Sequence, residues 1–158
     1  MDLIILIGLQ ASGKSTFYRA YFSATHTLVS KDLMRNNKRP ARHQTQMITE
    51  ALQAGRSVIV DNTNPTREDR AELIQLAHQF GATVSGYYFE SSLKQCLERN
   101  KQREGREKVP DIAIFTTLKK LVRPAYSEGF DQLYAVRIAC ENTFEVSPWE
   151  EDAATHGK

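Results

Sequence analysis

Residues Gly8-Leu9-Gln10-Ala11-Ser12-Gly13-Lys14-Ser15 satisfy the pattern G-x-x-x-x-G-K-[ST] at every fixed position. The chemistry such a segment performs is phosphate binding. Its glycines let consecutive backbone N–H groups turn inward around an anion. The helix expected to start at Lys14 adds the partial positive charge of its first turn. Gly8, Ala11, Ser12, Gly13 and Thr16 are the expected contacts of a bound nucleotide. Lys14 is placed to reach β- and γ-phosphates, and Ser15 to offer a hydroxyl to Mg²⁺.

Three further clusters could act on what that loop holds. In Ser30-Lys31-Asp32-Leu33-Met34-Arg35, Asp32 follows an apolar stretch and is suited to take a proton from an attacking hydroxyl. Arg35, one helical turn later, can fork two donors onto a phosphate or carboxylate of the acceptor. The plainer alternative makes Asp32 a helix cap and Arg35 a surface charge. In Val58-Ile59-Val60-Asp61-Asn62-Thr63-Asn64-Pro65-Thr66, an apolar strand ends in a carboxylate. Asp61 is thus a candidate to hold Mg²⁺, directly or through water, while Thr63 and Asn64 stand at the acceptor side. The same residue types also make polar turns. Finally, Arg99, Arg103 and Arg106 lie in a basic stretch interrupted by Gly105 and closed by Pro110, the composition of a mobile flap. An arginine carried by such a lid can neutralise charge on a transferring phosphoryl group.

Positioning these clusters requires strands that end where the clusters begin. Apolar runs of strand length fall at Leu3–Ile7, Thr27–Ser30, Ser57–Val60, Thr83–Phe89 and Gln132–Val136. Helical patterns fall between them at Lys14–Phe22, His43–Ala54, Arg67–Phe80, Leu93–Asn100 and Asp111–Val122. This alternation predicts an α/β fold: three layers, α/β/α, around a central parallel sheet of about five strands, with a small helical lid. Ligands of such sheets bind beyond the carboxyl ends of the strands, where every cluster above is expected.

The 158 residues suit one domain, read as 1–147 with the lid at about 99–110 and a loose acidic tail at 148–158. No apolar run approaches a membrane span. Cys96 and Cys140 form no metal or disulfide pattern, so a reducing cytoplasm fits. The net charge of +2 is small, but five Lys/Arg stand between Lys31 and His43 against the single acid Asp32. A basic stretch of that kind is either a solvated face or a hold for a polyanion. No N-K-x-D guanine-recognition motif is present, and the chain is short for a mechanical ATPase. What remains is a compact kinase.

The clusters resemble, in order and spacing, the kinase domain of polynucleotide 5′-hydroxyl kinases: G-x-x-x-x-G-K-S, Asp with Arg three residues later, D-N-T-N-P, R-N-x-x-R…V-P, and Arg123-Pro124 followed by Glu128-Gly129-Phe130. The resemblance covers most of residues 1–136. It implies ATP as donor with Mg²⁺, Asp32 as general base, Arg35 as clamp on the acceptor's 3′ phosphate, the block Asp61–Asn64 as an acceptor-side motif in which Asp61 meets acceptor or metal, and a lid with Arg99 on the nucleotide and Arg103 as catalytic arginine. It also implies a nucleic acid 5′-hydroxyl end as partner. No D-x-D-x-T phosphatase or K-x-D-G ligase motif accompanies it, which implies a kinase working beside separate phosphatase or ligase proteins. Two other readings keep the same loop: a kinase of a small-molecule hydroxyl (nucleoside, sugar or antibiotic), and an ATP-binding module without transfer.

Overall fold

The unbroken run Leu3–Ile7 is apolar on both faces, and a strand of that kind is stable only between two other strands with helices above and below. In the computed structural model, which describes residues 1–31, 38–105, 108–139 and 143–151, it takes that place. The elements are β1 (Asp2–Ile7), α1 (Lys14–Tyr21), β2 (Thr27–Val29), α2 (Pro40–Gln53), β3 (Val58–Asp61), α3 (Arg67–Gln79), β4 (Thr83–Phe89), α4 (Leu93–Gln102), α5 (Asp111–Lys120), β5 (Gln132–Ile138) and β6 (Phe144–Pro148). The strand order is β2-β3-β1-β4-β5-β6, parallel throughout except for β6, which runs antiparallel to β5. The chain passes from β1 over β3 to β2, and later back across to β4. The carboxyl end of β1 is therefore the switch point at which such sheets bind ligands.

Alternation along β1 divides the core. Leu3, Ile5 and Ile7 meet α2 and α3 through Ile48, Ala51, Leu52, Leu73, Ile74 and Ala77. Ile4 and Leu6 face the other way, onto Phe17 of α1, together with Ile59, Phe89 and Val136. A third cluster packs Leu9 and Ala11 against Cys96 of α4 and Ile114 of α5, seating the lid helices on the glycine loop.

The sheet departs from the expected one at its edge. β6 is a sixth strand, and Pro148, expected in the loose tail, is its last residue. Trp149 is buried, donates its backbone N–H to Leu133 O (3.2 Å) and packs edge-on against Tyr88 with Arg123 over its ring. The burial of that large ring keeps the chain on the sheet past Pro148. Within β6, only Phe144 is packed into a core, so the strand carries a weak apolar pattern. α2 starts three residues before the expected His43, because Pro40 is preset for the first helical position. Of the described helices, none is long and apolar enough to cross a membrane.

Candidate active site

The glycine loop leaves β1 and enters α1 through Gly13, which caps the helix with φ 97°. A Cβ on Gly13 would lie 2.9 Å from Ile138 Cδ1, the movable end of that side chain, so the left-handed φ more than the space is what calls for glycine. Two carbonyls of the loop point outward. Ala11 O accepts from Arg99 Nη1 (3.3 Å) and Ser12 O from Ser91 Oγ (3.4 Å). Because a trans peptide sets C=O and the next N–H in opposite directions, the N–H groups of Ser12 and Gly13 face the loop interior. α1 has neither a side-chain cap nor an acid in its first turn, so its leading N–H groups point to the same place. The buried Lys14 places Nζ inside the loop, 3.1 Å from Gly8 O and 2.8 Å from Leu9 O. Thr16 lies in the first turn of α1, partly exposed.

Asp61 is the last residue of β3 and pairs with Leu6. It shares the sheet face of Ile59, two residues back, which is the face α1 covers. That geometry brings its carboxylate to Ser15, whose Oγ donates to Asp61 Oδ2 at 2.6 Å. The loop and the strand end therefore meet through two hard oxygen donors.

The turn after Asp61 is tied down at every residue. Asn62 accepts the Lys31 N–H on Oδ1 (2.9 Å) and donates Nδ2 to Gln44 Oε1 of α2 (2.6 Å). Thr63 O accepts the Gly8 N–H (3.1 Å). Asn64, buried with φ 45°, donates to Leu6 O at 2.9 Å, so its side chain shapes the turn from beneath.

The lid is α4, α5 and their connection. Its two ends are joined by Asn100, 0% exposed, which donates to Val109 O (2.6 Å) and accepts the Val109 N–H (3.0 Å). Arg103 caps α4. Arg99, Lys14 and Arg103 all lie near enough to Cys96 to favour its thiolate, although burial wins and pushes the thiol pKa up. Arg106 lies outside the described residues, as do Asp32 and Arg35.

A cleft of about 760 Å³ opens beside the turn. Gln10, Lys31, Gln44, Asn62, Thr63 and Asn64 line its inner side, and Glu68 and Glu72 of α3 line another wall. α2 presents Ala41, Gln44 and Thr45 to this cleft. Its other face forms a second, smaller groove of about 260 Å³ with Lys38, Arg39, Arg42, His43 and Gln46. Of the described basic residues between Lys31 and His43, Lys31 alone lines the main cleft.

Sequence reasoning missed three residues that hold this site together: Gln44, Arg70 and Asn100, each buried. All three sit on the apolar stripe of their helix: Gln44 with Ile48, Ala51 and Leu52, Arg70 with Leu73, Ile74 and Ala77, and Asn100 with Cys96 and Leu93. A polar residue on such a stripe is the signal that could have found them.

Residues 3–124 match the AAA domain family. The chain is 26% identical to a bifunctional polynucleotide phosphatase/kinase of Schizosaccharomyces pombe, over 91% of its own length and 35% of that protein. It is 28% identical to an L-seryl-tRNA(Sec) kinase of Methanococcus maripaludis, over 82% of its own length and 56% of that protein. It therefore spans about a third of the first relative and just over half of the second. A crystal structure of a gluconokinase from Sinorhizobium meliloti superposes with a TM-score of 0.62 at 21% identity, covering 89% of this chain and 84% of that one. With a family match across most of its length and a kinase fold around its glycine loop, the chain belongs to the AAA domain family as a P-loop kinase.

Proposed function

We propose that the protein transfers the γ-phosphoryl group of ATP to the 5′-hydroxyl end of a polynucleotide. The observation that carries this reading is the groove formed by Lys38, Arg39, Arg42 and His43 at the start of α2, the helix that also walls the cleft. A strand whose end enters the cleft has a cationic surface for its following phosphates on the same helix. Relatives named for polynucleotide and tRNA substrates support the same class.

In this reading Asp32, one residue beyond the cleft-lining Lys31, takes the proton of the 5′-hydroxyl. The hydroxyl oxygen then bonds to the γ-phosphorus as the bond from that phosphorus to the β–γ bridging oxygen breaks, and ADP leaves. Lys14 and the inward N–H groups of the loop hold the β- and γ-phosphates. Arg103 meets the charge on the transferring group, and Arg99 braces the loop over the nucleotide. Arg35 clamps the acceptor's 3′ phosphate and Thr63 contacts its end.

Ser15 Oγ and Asp61 Oδ2, two hard oxygens beside the phosphate loop, are the residues that would hold Mg²⁺. Bound there, the ion would supply charge neutralisation at the β- and γ-oxygens.

Glu68 and Glu72 favour a second reading, since acids on a cleft wall suit the hydroxyls of an uncharged acceptor such as a sugar. The test measures label transfer from ATP to a nucleoside, its 3′-monophosphate, a 5′-hydroxyl oligonucleotide and a neutral sugar such as glucose across a salt series. Oligonucleotide should be the best acceptor, with a KM that rises with salt by a log–log slope of about 0.7 per phosphate held. Preference for the nucleoside or the neutral sugar without salt dependence would give the site to a small molecule. Asp32→Asn should lower kcat by about 10²–10⁴ while ATP binding persists.

A further inference from the structure

Arg70 is 0% exposed and lines neither the glycine loop nor the cleft, so its part in the site lies in what it holds. Its Nε and Nη2 pair with the two carboxylate oxygens of Glu128 at 2.9 and 3.1 Å. Its Nη1 donates to three backbone carbonyls: Asn64 O at 3.1 Å, Pro65 O at 3.3 Å and Val122 O at 2.9 Å. Two of these carbonyls belong to the acceptor turn. The third belongs to the chain just after α5, the descending helix of the lid. The same two segments also touch directly, through Val122 N–H to Pro65 O at 2.8 Å. Glu128 is fixed in turn by the Ala125 N–H on Oε2, at 2.9 Å.

We infer that Arg70 is a positioning residue for the acceptor half of the site, coupling the turn Thr63–Pro65 to the exit of the lid. The inference rests on the acceptor role given above to that turn. A buried ion pair is often replaceable by apolar side chains without loss of stability. A planar guanidinium that also satisfies three carbonyls of irregular backbone is not, because those oxygens have no repetitive partner. The turn is held from the other side by Asn64 Nδ2 on Leu6 O and by Gly8 N–H on Thr63 O. One face of the turn is thus pinned to the glycine loop and strand β1, the other through Arg70 to the lid. A displacement of Val122 as the lid moves is transmitted through Arg70 to the backbone that carries Thr63. The nucleotide half meets the turn at Gly8, and the rest of its loop is braced by Arg99, Ser91 and its own lysine.

Arg70→Lys keeps a positive charge for Glu128, but a single ammonium cannot span the carboxylate and all three carbonyls. Hydrogen exchange of the backbone amides of Thr63, Asn64, Thr66 and Val122 is measured by NMR or mass spectrometry with a non-hydrolysable ATP analogue bound. Exchange there should accelerate about tenfold or more, with the glycine-loop amides protected by the analogue as in the wild type. In kinetics, kcat on a 5′-hydroxyl oligonucleotide should fall about tenfold or more per folded molecule, with the analogue's Kd unchanged within about twofold. A purely structural Arg70 would speed exchange across the whole chain and leave kcat per folded molecule unaltered, which overturns the inference. Unchanged exchange at the four amides overturns it as well. If Arg70→Lys does not fold, Glu128→Gln, which keeps the guanidinium but weakens its anchor, is read by the same criteria. Wild-type protein that ignores the oligonucleotide would refute the acceptor class alone, since the exchange measurement needs no acceptor.

Discussion

Replacing Lys14 by alanine separates what the lysine does for the loop from what it does for phosphate. Its ammonium, 7% exposed, donates to Gly8 O and Leu9 O and sits 3.5 Å from Ser12 Oγ. A hydrogen bond from a charged group contributes roughly 1.5–3 kcal/mol, and unsatisfied buried carbonyls add to the loss. Water will reach part of the space left, so the net destabilisation should be about 2–3 kcal/mol. Against a total of about 5–15 kcal/mol the fold survives. Tm should fall by roughly 4–12 °C, taking 2–4 °C per kcal/mol for a domain of this size. Turnover should fall much further. One positioned donor at a site of developing charge is worth about 10²–10³ in kcat, and Lys14 is a full charge among backbone dipoles. The assay is thermal unfolding with and without an ATP analogue beside single-turnover transfer. At a hundredfold excess over Kd the analogue should stabilise the wild type by about 2.7 kcal/mol, so the gap in Tm between the proteins should widen when it is present. A folded Lys14→Ala protein with normal turnover, or one stabilised by the analogue as much as the wild type, would refute the assignment.

Arg99→Ala should raise the KM for ATP, because it frees the Ala11 carbonyl that orients the Ser12 N–H; Arg103→Ala should lower kcat more than it raises KM. Equal, mild losses in steady-state kinetics would reduce the lid to a diffuse basic surface. Gly13→Ala should weaken analogue binding at least about tenfold in calorimetry, since alanine is strained at φ 97° and would press on Ile138; unchanged affinity would show the loop to be freer than this geometry allows. Glu68→Gln with Glu72→Gln should lower the oligonucleotide KM about two- to fourfold at low salt, an effect that fades as salt screens it. A raised KM would mean these carboxylates hold the acceptor.

The nucleotide half of the site was legible in the sequence because it is built mainly from backbone. A glycine loop between a strand and a helix is a local pattern, so Gly8–Ser15 carries its own structure with it. Asp61 was legible for a related reason: the run Val58–Val60 sets the strand, and its end sets the carboxylate. That it would meet Ser15 depends on the β1–β3 register, which no local pattern contains. The acceptor half depends on such contacts throughout. Gln44, Arg70 and Asn100 pair with residues 18, 58 and 9 positions away. A sequence pattern shows them only as polar interruptions of an apolar stripe. Asn64 shows the converse: its place among exposed-looking turn residues suggested an acceptor contact, while the structure commits its side chain to Leu6 O. β6 escaped because its partner strand, not its own composition, makes it a strand.

The division of charge around the cleft bears on which acceptor the enzyme takes. Glu68 and Glu72 on α3 face the same space as Lys31, while the other cations of that stretch line a groove on the far face of α2. A phosphodiester chain laid along α3 would meet like charge at close range, and the repulsion grows as water is displaced from the cleft. Laid toward α2, its phosphates leave the acids behind and come to Lys38, Arg39 and Arg42. In the proposed reading the two walls would therefore direct a strand rather than attract it generally. A small neutral acceptor has no second phosphate to be directed, and for it the α2 groove would have no use. The proposed polynucleotide reading would use the basic groove beside α2, whereas the acids of α3 would suit a small neutral acceptor, so the two walls pull the acceptor series in opposite directions.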